Sequence, residues 1–146
     1  MSLRKTYAVD KDKIANGVPF ELGVNEDGSR PTMYIARAGQ QNQRYRKSME
    51  AAYKPYKFQL DHGTMDNEVA QGILLTVFCK SCITGWTNVL LSDVTGNPED
   101  TGFADFTPEN AEKLLGDLPD LFEEVVAFAN SVENYRAEEL DNAAKN

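Results

Sequence analysis

The stretch "VAQGILLTVFCKSCITGW", residues 69–86, constrains the fold more than any other part of the chain. Its apolar residues Val69, Ile73, Leu74, Val77, Phe78, Cys82 and Trp86 fall on more than one face of a helix. A helix that is apolar most of the way round has to be enclosed by other elements. The stretch therefore predicts a buried central helix, with Thr64 or Asp66 as N-cap, around which the rest of the chain must wrap. The longest apolar run within it, "GILLTVFC", ends at Lys80 and is far too short to cross a bilayer.

Ahead of that helix, "GVPFEL" (residues 17–22) and "TMYIAR" (residues 32–37) are short runs rich in β-branched and aromatic residues. They flank a turn-forming cluster containing Asp27-Gly28, which predicts a β-hairpin with a long connection. Pro19 cannot donate to a ladder, so the first strand belongs at an edge. "QNQRYRKSMEAAYKPYKF" (residues 41–58) has helix-forming composition as far as Lys54, where Pro55 should end or kink it. Tyr45, Met49, Ala52 and Tyr53 make a stripe spaced by three and four, with Arg44, Arg46, Lys47 and Lys54 available to the other side.

Behind it, residues 92–105 carry turn signals throughout and read as a loop. "FTPENAEKLLGDLPDLFEEV" then writes two helix starts in close succession. Thr107 is a good N-cap, Pro108 occupies the favoured first position, and Glu109 complements the dipole. Gly116 offers a stop, Asp117 a second N-cap, and Pro119 a second first turn. Leu118, Leu121, Phe122, Val125, Ala129 and Val132 form the apolar face of the following helix, which runs to about Asn134. Residues 1–135 thus read as a single α+β domain, an N-terminal β-hairpin packed on a mainly helical bundle of about four to five helices. Residues 136–146 read as a polar, frayed tail.

Charge is unevenly spread. Residues 1–60 hold 11 Lys/Arg against 6 Asp/Glu, and residues 61–146 hold 4 against 17, so the halves carry +5 and −13. Such asymmetry suits halves that meet electrostatically, within or between subunits. The segment from Arg37 to Lys57, with six Lys/Arg, one Glu and three interleaved tyrosines, has a composition that contacts phosphates. A −13 remainder and a pI of about 4.6 oppose binding to nucleic acid.

No residue set points to catalysis. Cys79 and Cys82 form a CxxC, but they lie on an apolar helix face, where cysteines pack as small hydrophobes. A zinc site needs about four ligands, and His62 is the sole histidine. "GVNEDG" has neither dinucleotide nor Walker spacing. Neither a cofactor nor a metal is expected. Residues 1–16 lack the apolar core of a signal peptide. Two cysteines make no disulfide scaffold in a chain of this size, so a reducing cytoplasm is the expected compartment.

The order of "RAGQQNQRYRK", "ITGWTNVL", "FTPENAEKLLGDLPDLFEEVVAFA" and "NYR" resembles the tail assembly chaperones of long-tailed bacteriophages and prophages, over residues 17–136. Gly85-Trp86 with Asn88-Val89, residues 106–110 and residues 118–122 carry the resemblance most specifically. Pro19 and a long loop over residues 93–105 depart from it. The resemblance implies a non-enzymatic protein of the host bacterial cytoplasm, absent from the mature virion. It would bind the tape measure protein while tail tube subunits polymerise around it. The +5 and −13 halves separately lead to the expectation that the chain associates with itself front to back. Arg44, Tyr45, Arg46, Lys47, Met49 and Tyr53 are the expected partner-binding residues, and Trp86 the anchor beneath the paired helix starts. A small nucleic-acid-associated phage protein and a CxxC thiol oxidoreductase are the alternatives.

Overall fold

The computed structural model describes residues 2–137. The chain opens with two short helices that the sequence pattern does not announce, α1 (Leu3–Thr6) and α2 (Lys11–Asn16). Asp10 caps α2 by accepting from the Asp12 and Lys13 amides. Gly17 then turns the chain into the sheet with φ 97°. A Cβ there would sit 3.0 Å from the Ile35 nitrogen and from Thr84 Oγ1, so both the backbone angle and the crowding require glycine.

Strands β1 (Val18–Glu21) and β2 (Thr32–Ile35) form the expected hairpin, with Pro19 opposite Tyr34 and β1 at the edge. A third strand, β3 (Ile83–Thr87), pairs antiparallel with β2 and places Met33 opposite Trp86. This corrects the central helix, which does not reach Trp86. The 3-10 turn at Lys54–Tyr56 joins α3 (Gln43–Tyr53) to α4 (Lys57–His62), so Pro55 kinks that segment without ending it. Helix α5 covers Asn67–Ser81, started by the Asp66 carboxylate accepting from the Glu68 amide, and Cys82 is its C-cap. Two physical reasons end α5 early. "ITGWT" combines β-branched residues with a glycine, a poor helix composition, and a two-stranded hairpin is only marginally stable without a third strand.

Residues 92–105 are more ordered than a loop, a second correction. They contribute to α6 (Leu91–Thr95), and the chain then returns so that Leu90 bridges Phe103 and the Ala104 amide donates to the Val89 carbonyl at 2.8 Å.

The paired starts become α7 (Pro108–Asp117) and α8 (Pro119–Asn130). Thr107 caps α7 as expected, accepting from the Asn110 amide at 3.0 Å. Gly116 does not stop it, nor does Asp117 cap α8: Asp117 pairs with Lys113, and Leu118 is the joint, at φ −123° and ψ 73°. Pro119 explains this, because the residue before a proline is pushed out of the helical region. Leu118 and Val132 consequently lie at the surface, each 45 % exposed. Phe122, Val125 and Ala129 keep the apolar face buried, and α8 stops at Asn130 before a 3-10 turn at Val132–Tyr135.

The core joins sheet and helices through Met33, Ile35, Phe78, Ile83, Leu115 and Val125. The architecture is α+β: α5 packs against α3, α7 and β3, α6 packs on α7, and α8 lies against α7 and β2. Arg136 bridges Val9, and the Ala137 amide donates to the Ala8 carbonyl at 3.0 Å. From residue 138 on, the expected tail lies outside the described residues.

Candidate interaction surface

The CxxC residues are placed by α5, Cys79 in its last turn and Cys82 at its cap, and neither has any exposed surface. Burial pushes the Cys79 thiol up to about 12, with the Glu112 carboxylate adding to it. Burial likewise pushes Cys82 up to about 12, although Ser81 and Arg44 pull the other way. A reactive thiol needs thiolate at neutral pH, and this environment suppresses it. His62 ends α4 at the surface, with Nδ1 2.9 Å from the Phe58 carbonyl. Among the described residues, no three His, Cys, Asp or Glu side chains cluster closely enough to hold a metal ion.

The more informative feature is α3 together with α4. Across residues 43–76 no side chain is fully buried. The segment makes an arm: α3 lies along α5, the 3-10 turn and α4 extend it, and the chain returns through α5. Asn42 fixes its base. Only 3 % exposed, Asn42 caps α3 by accepting from the Tyr45 amide, while its Nδ2 donates to the Arg37 carbonyl at 2.9 Å and the Ser81 carbonyl at 3.4 Å. Composition alone places Asn42 inside the helix. An asparagine ahead of a helical stripe is itself the capping signal.

The stripe of Tyr45, Met49, Ala52 and Tyr53 packs toward α5 and stays half-buried. Tyr45 meets Phe78 edge to face at 5.8 Å, and Phe78 meets Phe122 the same way at 5.7 Å, which connects the arm to the core. Burial raises the Tyr45 phenol above its ordinary range. Tyr45, Arg46 and Met49 border one groove of about 310 Å³ with Gly39, Gln40 and Glu50.

The basic flank is divided. Arg44 donates to the Lys80 carbonyl at 3.1 Å, where a cation complements the C-terminal end of α5. Arg46 donates to the Gln40 carbonyl at 3.2 Å, and Lys47 is exposed. Arg44 also borders a second groove of about 550 Å³ between α2 and the start of α3, lined by Val9, Lys11, Ile14 and Ala15. That groove is invisible in the sequence because α2 is. Tyr53 lies further along the arm, away from both grooves' linings.

The described residues thus form an α+β domain with a surface arm, two grooves near the arm's base and two thiols sealed in the core. Residues 40–146 match the family model of the YdaY prophage protein, and the chain belongs to that family of prophage proteins. The match covers the arm, β3 and the paired helices. No curated protein and no solved structure matches the chain.

Proposed function

We propose that this prophage protein is a non-enzymatic tail assembly chaperone, which binds a helical segment of the tape measure protein in the host cytoplasm during tail tube polymerisation. The observation that carries the reading is the groove beside α3 bordered by Tyr45, Arg46 and Met49, whose stripe residues stay only partly buried. A helix is received by laying an apolar stripe into a groove, and Met49 with the outer part of Tyr45, whose ring also packs on Phe78, supplies apolar contact there. Arg44, Arg46 and Lys47 would meet acidic side chains on the partner, contributing encounter rate more than affinity. Tyr53 would extend the contact along the arm.

Membership in a prophage family supports the setting, and the resemblance to tail assembly chaperones supplies the partner. The buried thiols weigh against an oxidoreductase. Co-expression with the tape measure protein of the same prophage, followed by affinity capture, tests the reading. The tape measure protein should co-purify with the wild-type chain and be lost with Tyr45→Glu/Met49→Glu. Absence of the tape measure protein from the wild-type capture would refute it.

A further inference from the structure

We propose that the tip of the arm is a knob that seats in an apolar groove of a second copy of this chain, joining copies head to tail. Helix α4 at the tip has no buried residue. Phe58 is 69 % exposed and Leu60 45 %. One face of the Phe58 ring lies on His62, with ring centroids 4.1 Å apart, leaving the rest of the ring uncovered. Val69, on the first turns of α5, is the next exposed apolar residue along the chain.

Two other exposed apolar residues, Val24 and Leu118, line a single groove of about 260 Å³ between the hairpin connection and the α7–α8 joint, together with Leu22, Pro31, Val89 and Leu121. The groove's volume leaves room for an aromatic ring, since even an enclosed apolar cavity of about 150 Å³ accepts benzene. Charge agrees with shape. Exposed Lys54 and Lys57 flank the knob, and Asp93 and Asp120 stand at or beside the groove, none of the four in an ion pair among the described residues. Opposite charges at the rim fix the register of an apolar contact.

Knob and groove are different patches of one surface, so the contact is heterologous and builds a ring or an open chain of copies. Phe58 and the groove at Leu118 lie apart from Tyr45, Met49 and the grooves at the arm's base, so Phe58→Asp and Leu118→Glu test self-assembly separately from tape measure capture.

The test is sedimentation velocity on the full chain over a concentration series. Wild-type protein should grow beyond a dimer as concentration rises. Phe58→Asp and Leu118→Glu should each sediment as a monomer, with association weakened at least tenfold. An equimolar mixture of the two should form a 1:1 dimer and stop there, because only one intact knob and one intact groove remain to meet. Val24→Glu replaces Leu118→Glu if the change at the helix joint unfolds the chain, and Lys54→Glu/Lys57→Glu serves the same purpose for the knob. A wild-type monomer at every concentration, variants that assemble like wild type, or folded variants whose mixture stays monomeric would each overturn the proposal.

Discussion

The Tyr135 hydroxyl donates to the Ile35 carbonyl at 2.9 Å, linking the last described turn of the chain to the central strand across 100 residues of sequence. Tyr135 is 1 % exposed and Ile35 fully buried. Phe128 meets the tyrosine ring nearly edge-on at 6.3 Å, and the Arg37 guanidinium lies 5.9 Å from the ring centroid. The end of the described chain is thereby part of the fold's closure.

Tyr135→Phe should therefore destabilise the protein by about 1–3 kcal/mol, because it leaves a buried carbonyl without its donor. Urea unfolding measures this as a lower midpoint with an unchanged slope. A midpoint equal to wild type would mean that the carbonyl finds another partner.

Trp86 offers a second stability test. Its indole Nε1 donates to the Ala104 carbonyl at 2.9 Å, and its ring meets Phe106 edge to face at 5.3 Å. It therefore ties β3 to the segment that leads into α7. Trp86→Ala should cost about 3–5 kcal/mol, the range for a buried large aromatic, while Trp86→Phe should cost less because it removes the donor but keeps most of the apolar area. Equal losses for the two would place the whole effect in the hydrogen bond.

How legible the fold is in the sequence depends on the range of the interaction that decides each element. Asp66, Thr107, Pro108 and Pro119 act on their immediate neighbours, and each takes the local role expected of it. The boundary at Ser81 is not legible, because residues 83–87 become a strand only when β2 lies beside them. The failure of Asp117 as a cap is a local matter: Pro119 controls the backbone of Leu118, and Lys113 claims the Asp117 side chain. At the candidate surface, the stripe spacing is readable along α3. The groove beside Arg44 is not, since its other wall is α2, a six-residue helix with one buried apolar residue, Ile14.

The cysteines make a chemical prediction. Both should resist alkylation by iodoacetamide in the native protein at pH 8 and react readily in urea, because burial holds them protonated and out of reach. Replacing both by Ala should leave partner capture intact. Rapid labelling of the native protein would contradict the packing around Cys79 and Cys82.

Alkaline pH should destabilise the fold through the same groups. Folding raises both thiols from 9.0 to about 12 and raises Tyr135 above its ordinary 10.0, burial being the largest cause in each case. Above about pH 9 the unfolded chain releases protons that the folded chain retains. Stability is therefore fully present below pH 9 and falls as pH rises, by up to about 1.4 kcal/mol per pH unit for each titrating group. Chemical denaturation between pH 7 and 11 reads the slope, and a Cys79→Ala/Cys82→Ala variant should flatten its first part. A stability that held level through pH 11 would contradict the burial of these groups.

The central claim, that α3 receives the tape measure protein, is tested most directly by the rate at which surface-immobilised tape measure protein binds the wild-type chain and the Arg44→Glu/Arg46→Glu/Lys47→Glu variant. Reversing three charges at a rim should slow association about tenfold or more at low salt. The difference should shrink as added salt shortens the Debye length toward about 3 Å at 1 M. Circular dichroism checks that the variant remains folded. A folded variant that captures the tape measure protein at the wild-type rate would contradict the assignment of this surface.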